Sequence, residues 1–155
     1  MRTSYAVMAL LLCIVALPVL AQDKPADTMQ IVREKLQADK KLLVATNMEL
    51  TEKEAQAFWP IYESYQKDLG LVNGRMLVLL EDFAKNYQTM TEQEAKKLVD
   101  DYLAIEQDRI NLKQSYRPKL RKALPEKKVA RYLQIENKVE AVIRYELAGR
   151  VPLVK

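Results

Sequence analysis

Apolar residues recur at alternating intervals of four and three positions through two long stretches of this 155-residue chain. The first stretch carries Phe58, Tyr62, Tyr65, Leu69, Val72, Met76, Leu79 and Phe83, and the second carries Ala95, Leu98, Tyr102, Ile105, Arg109, Leu112 and Tyr116. A period of 3.5 residues is typical of helices that pack along a seam. It predicts two long helices that form an antiparallel hairpin, with Arg109 as the charged residue in the second seam.

Two copies of one helix-start motif indicate where these helices begin. Residues 50–54 (LTEKE) and 90–94 (MTEQE) each place a threonine three positions before a glutamate and after an apolar residue. Such a threonine accepts a hydrogen bond from the glutamate N–H, while the glutamate side chain accepts one from the threonine N–H, which makes a capping box. The capping residues are Leu50, Thr51, Glu54, Met90, Thr91 and Glu94.

The whole pattern predicts an all-α chain of about four helices, because strand signals are nearly absent. A third, weaker start at residues 124–126 places Pro125 at the first helical position. Gly149 and Pro152 are expected to end the last helix. The predicted helices span about 28–46, 51–88, 91–123 and 125–147.

Prolines and glycines inside these helices predict departures from straight rods. Pro60 and Pro118 each remove a backbone N–H, so we expect both long helices to be kinked or curved. Gly70 and Gly74 each cost about 1 kcal/mol relative to alanine, so either another helix approaches closely there or the helix breaks. The last helix has a narrow apolar face that completes a bundle within one chain or in a dimer, and this face is Tyr132, Ile135, Val139 and Val142.

Residues 1–21 are typical of a secretory signal peptide. Arg2 precedes an apolar run from Ala6 to Leu17, which is too short to span a membrane, and small residues stand at the −3 and −1 positions of a cleavage site after Ala21. The alternative is an uncleaved membrane anchor. Cleavage removes Cys13, the single cysteine, and leaves residues 22–155 as one exported all-helical domain without a disulfide.

Composition argues against most catalytic chemistry. The chain has no histidine, so it has no Ser-His-Asp or Cys-His nucleophile and no histidine metal ligand. Three glycines cannot form a Gly-rich phosphate loop. The pairs Glu81-Asp82 and Asp100-Asp101 could hold a hard cation, but neighbouring side chains diverge by about 100° around a helix. We therefore expect neither enzyme activity nor a cofactor or metal.

Charge is divided unevenly along the chain. Residues 22–108 carry 11 basic and 17 acidic side chains, whereas residues 109–155 carry 13 and 4. The basic excess predicts a patch near the junction of the last two helices, which attracts acidic protein segments or an anionic membrane surface. Export makes nucleic acid an unexpected partner. Cations near a helix C-terminus also complement the helix dipole, which is the structural alternative. The candidate patch residues are Arg109, Lys113, Arg117, Arg121 and Lys122.

Aromatic residues are concentrated between positions 58 and 65. Phe58, Tyr62 and Tyr65 lie on the predicted seam, but Trp59 points elsewhere, so the stretch is apolar on more than one side. The core of a single chain can absorb all four side chains. The alternative is an exposed surface that contacts a client protein or a dimer partner.

The two start motifs resemble the Leu-Thr-x-x-Gln motifs of the Spy/CpxP group of periplasmic proteins. Both copies have glutamate where that group has glutamine, and the second has methionine for leucine. The resemblance implies that residues 22–155 form a periplasmic domain and a curved, cradle-like homodimer of long helices. It also implies an ATP-independent chaperone or envelope-stress protein that binds unfolded or misfolded envelope proteins.

Two other functions stay open at this point. The first is a regulatory adaptor that binds the acidic periplasmic domain of a membrane sensor kinase. The second is a structural or outer-membrane biogenesis factor, a class whose basic coiled-coil members also contain a small β-sheet body.

Overall fold

The computed structural model describes residues 38–154, which contain four helices and no strand. Within this range α1 covers residues 38–48, α2 spans Glu52–Asn86, α3 spans Glu92–Ala123 and α4 spans Glu126–Ala148. The predicted all-α class is confirmed, and the three longer helices fall within two residues of their predicted bounds. The predicted signal peptide and the predicted start of the first helix lie outside the described residues.

Both predicted capping boxes are present. Glu54 N–H donates to Thr51 Oγ1 over 3.3 Å, and Thr51 N–H donates to Glu54 Oε2 over 2.8 Å. Thr91 and Glu94 repeat the same two bonds at 3.3 and 2.8 Å. Local hydrogen bonding therefore fixes the starts of α2 and α3.

The other helix ends follow local backbone chemistry with one correction. Pro125 is the N-cap of α4 rather than its first helical residue, because its ψ of 150° is extended. The preceding Leu124 is also extended, with φ −136°, since a residue before proline avoids the helical region. Gly149 is the C-cap of α4, as predicted. Glu49 follows α1 in the left-handed region, with φ 49°, and Lys128 Nζ donates to its carbonyl over 2.7 Å.

Contacts between α2 and α3 pair residues in opposite sequence order, which makes the predicted antiparallel hairpin. Tyr116 hydroxyl donates to Asp68 over 2.6 Å, and Arg109 donates to Asn73 over 2.7 Å. Both helices continue through their internal prolines. None of the described helices is long and apolar enough to cross a membrane.

The main core lies at one end of this hairpin, where α1 and α4 pack against it. Its buried members are Val44, Met48, Phe58, Tyr62, Tyr65, Leu69, Tyr116, Leu120, Leu124, Val129 and Tyr132. We call residues 70–108, the other end of the hairpin, the distal arm. The arm buries Phe83 and Ile105.

The inward face of α4 differs from the predicted apolar stripe. Val129, Tyr132 and Glu136 are buried, whereas Val142 is 64% exposed. The apolar pattern missed Glu136 because this carboxylate is buried only through its partners on other helices: Lys40 Nζ at 2.7 Å and Gln66 Nε2 at 2.9 Å.

Gly70 and Gly74 also depart from expectation. α2 does not break at either glycine, and a Cβ built at either position meets no other atom within 4 Å. Neither predicted explanation holds among the described residues. The two glycines instead lie on an open side of α2.

Candidate functional site

The aromatic stretch of α2 is core rather than surface. Phe58 is 0% exposed, and Tyr62 and Tyr65 are 3% exposed. Their rings pack edge-on with Tyr132 of α4, with a centroid distance of 5.1 Å from Phe58. The hypothesis that Phe58, Tyr62 and Tyr65 contact clients is therefore wrong for the folded chain, because no client reaches them.

Trp59 occupies the border of this core. Its half-buried ring packs 5.1 Å from Phe58, and Lys41 Nζ lies 5.3 Å from the ring centroid. The ring therefore seals the edge of the aromatic core between α1 and α2 and leaves only part of its surface to solvent.

Arg109 is part of a buried ion network and not of a basic surface. Its side chain is 10% exposed, and its Nε lies 3.5 Å from carboxylate oxygens of both Glu106 and Glu140. Lys113 Nζ bonds Glu140 Oε2 at 2.7 Å. Burial raises the pKa of Glu140, but its hydrogen bonds with Lys113 and Arg144 outweigh burial and hold the pKa below its usual value. Arg109 is thus removed from the predicted patch, and Lys113 is largely neutralised.

The other three candidate residues, Arg117, Arg121 and Lys122, are exposed near the end of α3. Together with the exposed Lys119 and Lys127 on either side of the α3–α4 junction, they make up what we call the basic tip. Arg121 pairs with Glu126 at 2.8 Å. Lys119 Nζ lies 4.2 Å from the Tyr116 ring centroid. Within residues 38–154, Arg117, Lys122 and Lys127 form no ion pair, so their charges face solvent.

The distal arm holds a groove that no sequence motif indicated. It has a volume of about 770 Å³ and lies between α2 and α3. Its lining is mainly apolar and also contains two cationic and three acidic side chains. Its lining includes Gly70, Leu71, Gly74, Arg75, Val78, Leu79, Asp82, Phe83, Glu94, Lys97, Leu98, Asp101 and Ile105.

Two apolar side chains of this lining are exposed to solvent: Leu71 is 69% exposed and Val78 is 56% exposed. Other apolar side chains of the distal arm are exposed outside the groove lining, namely Leu77, Val99, Tyr102 and Leu103. The sequence signal was present in two forms: apolar residues off the 3.5-residue seam and glycines inside a long helix. Neither signal could be interpreted without knowing which side of α2 the other helices cover.

Neither similarity to known proteins nor a metal-binding group indicates a function for this chain. No protein-family description, curated protein or solved structure matches the chain. Within the part of the chain that the structure describes, no group of three or more acidic side chains is arranged to hold a metal ion.

Proposed function

We propose that this protein is an ATP-independent periplasmic chaperone that binds apolar segments of unfolded or misfolded envelope proteins. The observation that carries the proposal is the set of large apolar side chains exposed on the distal arm, of which Leu71 and Val78 line its groove. Large apolar surfaces that stay exposed on a folded protein mark sites of interaction.

The shape of the groove suits an unfolded client. The groove is open along the arm, so an apolar segment can lie in it without entering an enclosed cavity. The basic tip lies at the other end of the hairpin and supplies long-range attraction for acidic client segments. The predicted signal peptide and the resemblance to the Spy/CpxP group support the same role and compartment.

Light scattering from an aggregating client tests the proposal. Equimolar residues 22–155 should suppress aggregation, and the variant Leu71→Gln/Val78→Gln should suppress it less because the groove then presents polar side chains. The matched control is Leu42→Gln/Leu43→Gln, which changes two exposed leucines on α1. An aggregation curve that the wild-type protein leaves unchanged would rule the chaperone function out.

The basic tip favours the adaptor as a second candidate. Arg117, Lys122 and Lys127, which form no ion pair among residues 38–154, fit the acidic domain of a sensor kinase, and such binding weakens with salt. Capture from solubilised membranes distinguishes the two functions: one saturable partner supports the adaptor, and a diffuse set of unfolded proteins supports the chaperone. Arg117→Ser/Lys122→Ser should abolish the former.

The dimer and the remaining alternative function each have a direct test. The homodimer implied by the resemblance is tested by light scattering during size-exclusion chromatography of residues 22–155. A biogenesis factor with a β-sheet body is tested by circular dichroism, and residues 38–154 contribute no strand to such a signal.

A further inference from the structure

The distal arm carries the opposite charge to the basic tip. Residues 70–108 contain eight carboxylates and four cationic side chains, for a net charge of −4. The groove thus lies on the acidic part of the molecule, although the chain as a whole is cationic with a formal charge of +4.

Cations at the groove are already neutralised within the arm. Arg75 Nη1 lies 2.5 Å from Asp108 Oδ2, and Lys97 is ion-paired with Asp101 one helical turn along α3. Lys85 faces Asp82 at 3.6 Å, a looser contact between two exposed side chains. Few cationic groups are therefore left to receive an anionic ligand.

Carboxylates of the arm are less completely paired. Of the three carboxylates that line the groove, Glu94 forms no ion pair within the described residues, Asp82 has only its long contact with Lys85, and Asp101 is paired with Lys97. A mainly apolar groove whose lining has more acidic than cationic side chains complements a segment that is both apolar and cationic.

Two glycines leave room for such a segment. A Cβ at Gly70 or Gly74 meets open space, so the backbone of α2 is accessible along this side. From Gly70 to Asn86, α2 is about 24 Å long, which matches about 16 residues of helix or about seven residues of extended chain.

We propose that the groove selects client segments in which apolar residues are flanked by lysine or arginine. This inference rests on the proposed function for the identity of the ligand as a client, and it names the chemical class of that client. The basic tip then binds acidic client segments and the groove binds apolar segments with cationic flanks. One chaperone can therefore hold both classes of segment.

Fluorescence anisotropy with two labelled peptides tests this selectivity on residues 22–155. Both peptides are about 14 residues long and share the same apolar residues, but one has lysine flanks and the other has glutamate flanks. We expect the lysine peptide to bind about tenfold more tightly than the glutamate peptide near neutral pH, because two exposed ion pairs supply a free-energy difference of that size. The difference in affinity should shrink as the salt concentration rises. Equal binding of both peptides, or tighter binding of the glutamate peptide, would overturn the proposal.

Two variants locate the binding in the groove. Gly74→Leu fills open space and replaces a helical glycine, so it should raise thermal stability while it abolishes binding of the lysine peptide. Asp82→Asn should weaken the lysine peptide alone, and Glu146→Gln, an exposed carboxylate on α4, is the control with unchanged affinity. Undiminished binding by Gly74→Leu would contradict the site.

The results separate this inference from the chaperone function. Suppressed aggregation without preference for the lysine peptide overturns the inference and leaves the function standing. Selective peptide binding without suppressed aggregation supports the groove and contradicts the function. If neither peptide binds and Gly74→Leu dissociates a dimer, a second copy occupies the groove and the inference is wrong.

Discussion

Lys40 of α1 and Glu136 of α4 form a buried ion pair, with 2.7 Å between Nζ and Oε2. Gln66 of α2 donates to the other oxygen of the same carboxylate over 2.9 Å. The Glu136 side chain is 3% exposed, so these two donors replace its contact with water. One carboxylate therefore joins three helices beside the aromatic core.

Lys40→Met should lower the free energy of unfolding by about 3 kcal/mol, because it leaves Glu136 buried with Gln66 alone. Urea unfolding measures the loss. Lys41→Met is the matched control and should cost about 1 kcal/mol or less, since its pair with Glu63 is exposed on both sides. The double variant Lys40→Met/Glu136→Leu should regain most of the lost stability. A control that loses as much as Lys40→Met would show that burial of the pair is not the cause.

The fold should lose stability in acid through Glu54. The hydrogen bond from Lys128, followed by the bond from Thr51 N–H, lowers the pKa of this carboxyl from 4.5 to about 2. Because the folded pKa lies below the unfolded one, the charged carboxylate stabilises the fold above about pH 4.5, and this contribution disappears as pH falls toward about 2.

Melting temperatures measured across this pH range check the assignment. Glu54→Gln should melt lower than the wild type near neutral pH and show a smaller fall in acid. Glu94→Gln changes the equivalent residue of the second capping box, which has no lysine partner within the described part of the chain, and should flatten the acid slope less. Equal slopes for the wild type and Glu54→Gln would contradict the role of Lys128.

Alkali should destabilise the fold through its buried tyrosines. Burial, with the nearby charge of Glu136, raises the pKa of Tyr132 above its usual range, and burial with the Asp68 hydrogen bond raises that of Tyr116 to about 12. Raised folded pKa values mean that the neutral phenols stabilise the fold below about pH 10, and that this contribution is lost as pH rises further. Tyr132→Phe should reduce the alkaline fall in melting temperature, and the exposed Tyr145→Phe serves as control.

Gly70→Ala and Gly74→Ala should each raise the free energy of unfolding by about 1 kcal/mol. The added methyl groups meet open space and cost nothing in the single chain. Gly149→Ala, at the C-cap of α4 rather than in a helix interior, should gain less. Destabilisation by either helical alanine in urea unfolding would mean that another chain packs closely against this side of α2.

Arg109→Met should destabilise the hairpin by about 2 kcal/mol, because Asn73 and two carboxylates lose a partly buried charged donor. Arg117→Met, at an exposed position of the same helix, should change stability by less than about 0.5 kcal/mol. Denaturant midpoints of the two variants give the comparison. Similar losses at both positions would argue against the buried network around Arg109.

Helix boundaries and the hairpin could be predicted from the sequence because their causes are local. The capping boxes of Thr51 and Thr91 need only residues three positions apart, and the seam from Phe58 to Phe83 repeats along one helix. The extended backbone at Leu124 and Pro125 also follows from neighbouring residues. The sequence did not predict that Pro125 is the N-cap of α4 and not its first helical residue.

Tertiary structure alone decided which of these residues are accessible. Arg109 belonged to a basic run in the sequence, but Asn73 and Glu140 on other helices surround it. Phe58 gained its burial from α1 and α4, and Glu136 became a core residue through Lys40. Burial depends on distant partners, whereas capping and periodicity depend on near ones. Near-neighbour effects therefore let the sequence alone determine a long helical hairpin with an acidic part and a basic part. Only the packing of α1 and α4 against one end of the hairpin decided that the other end keeps an open, mainly apolar groove.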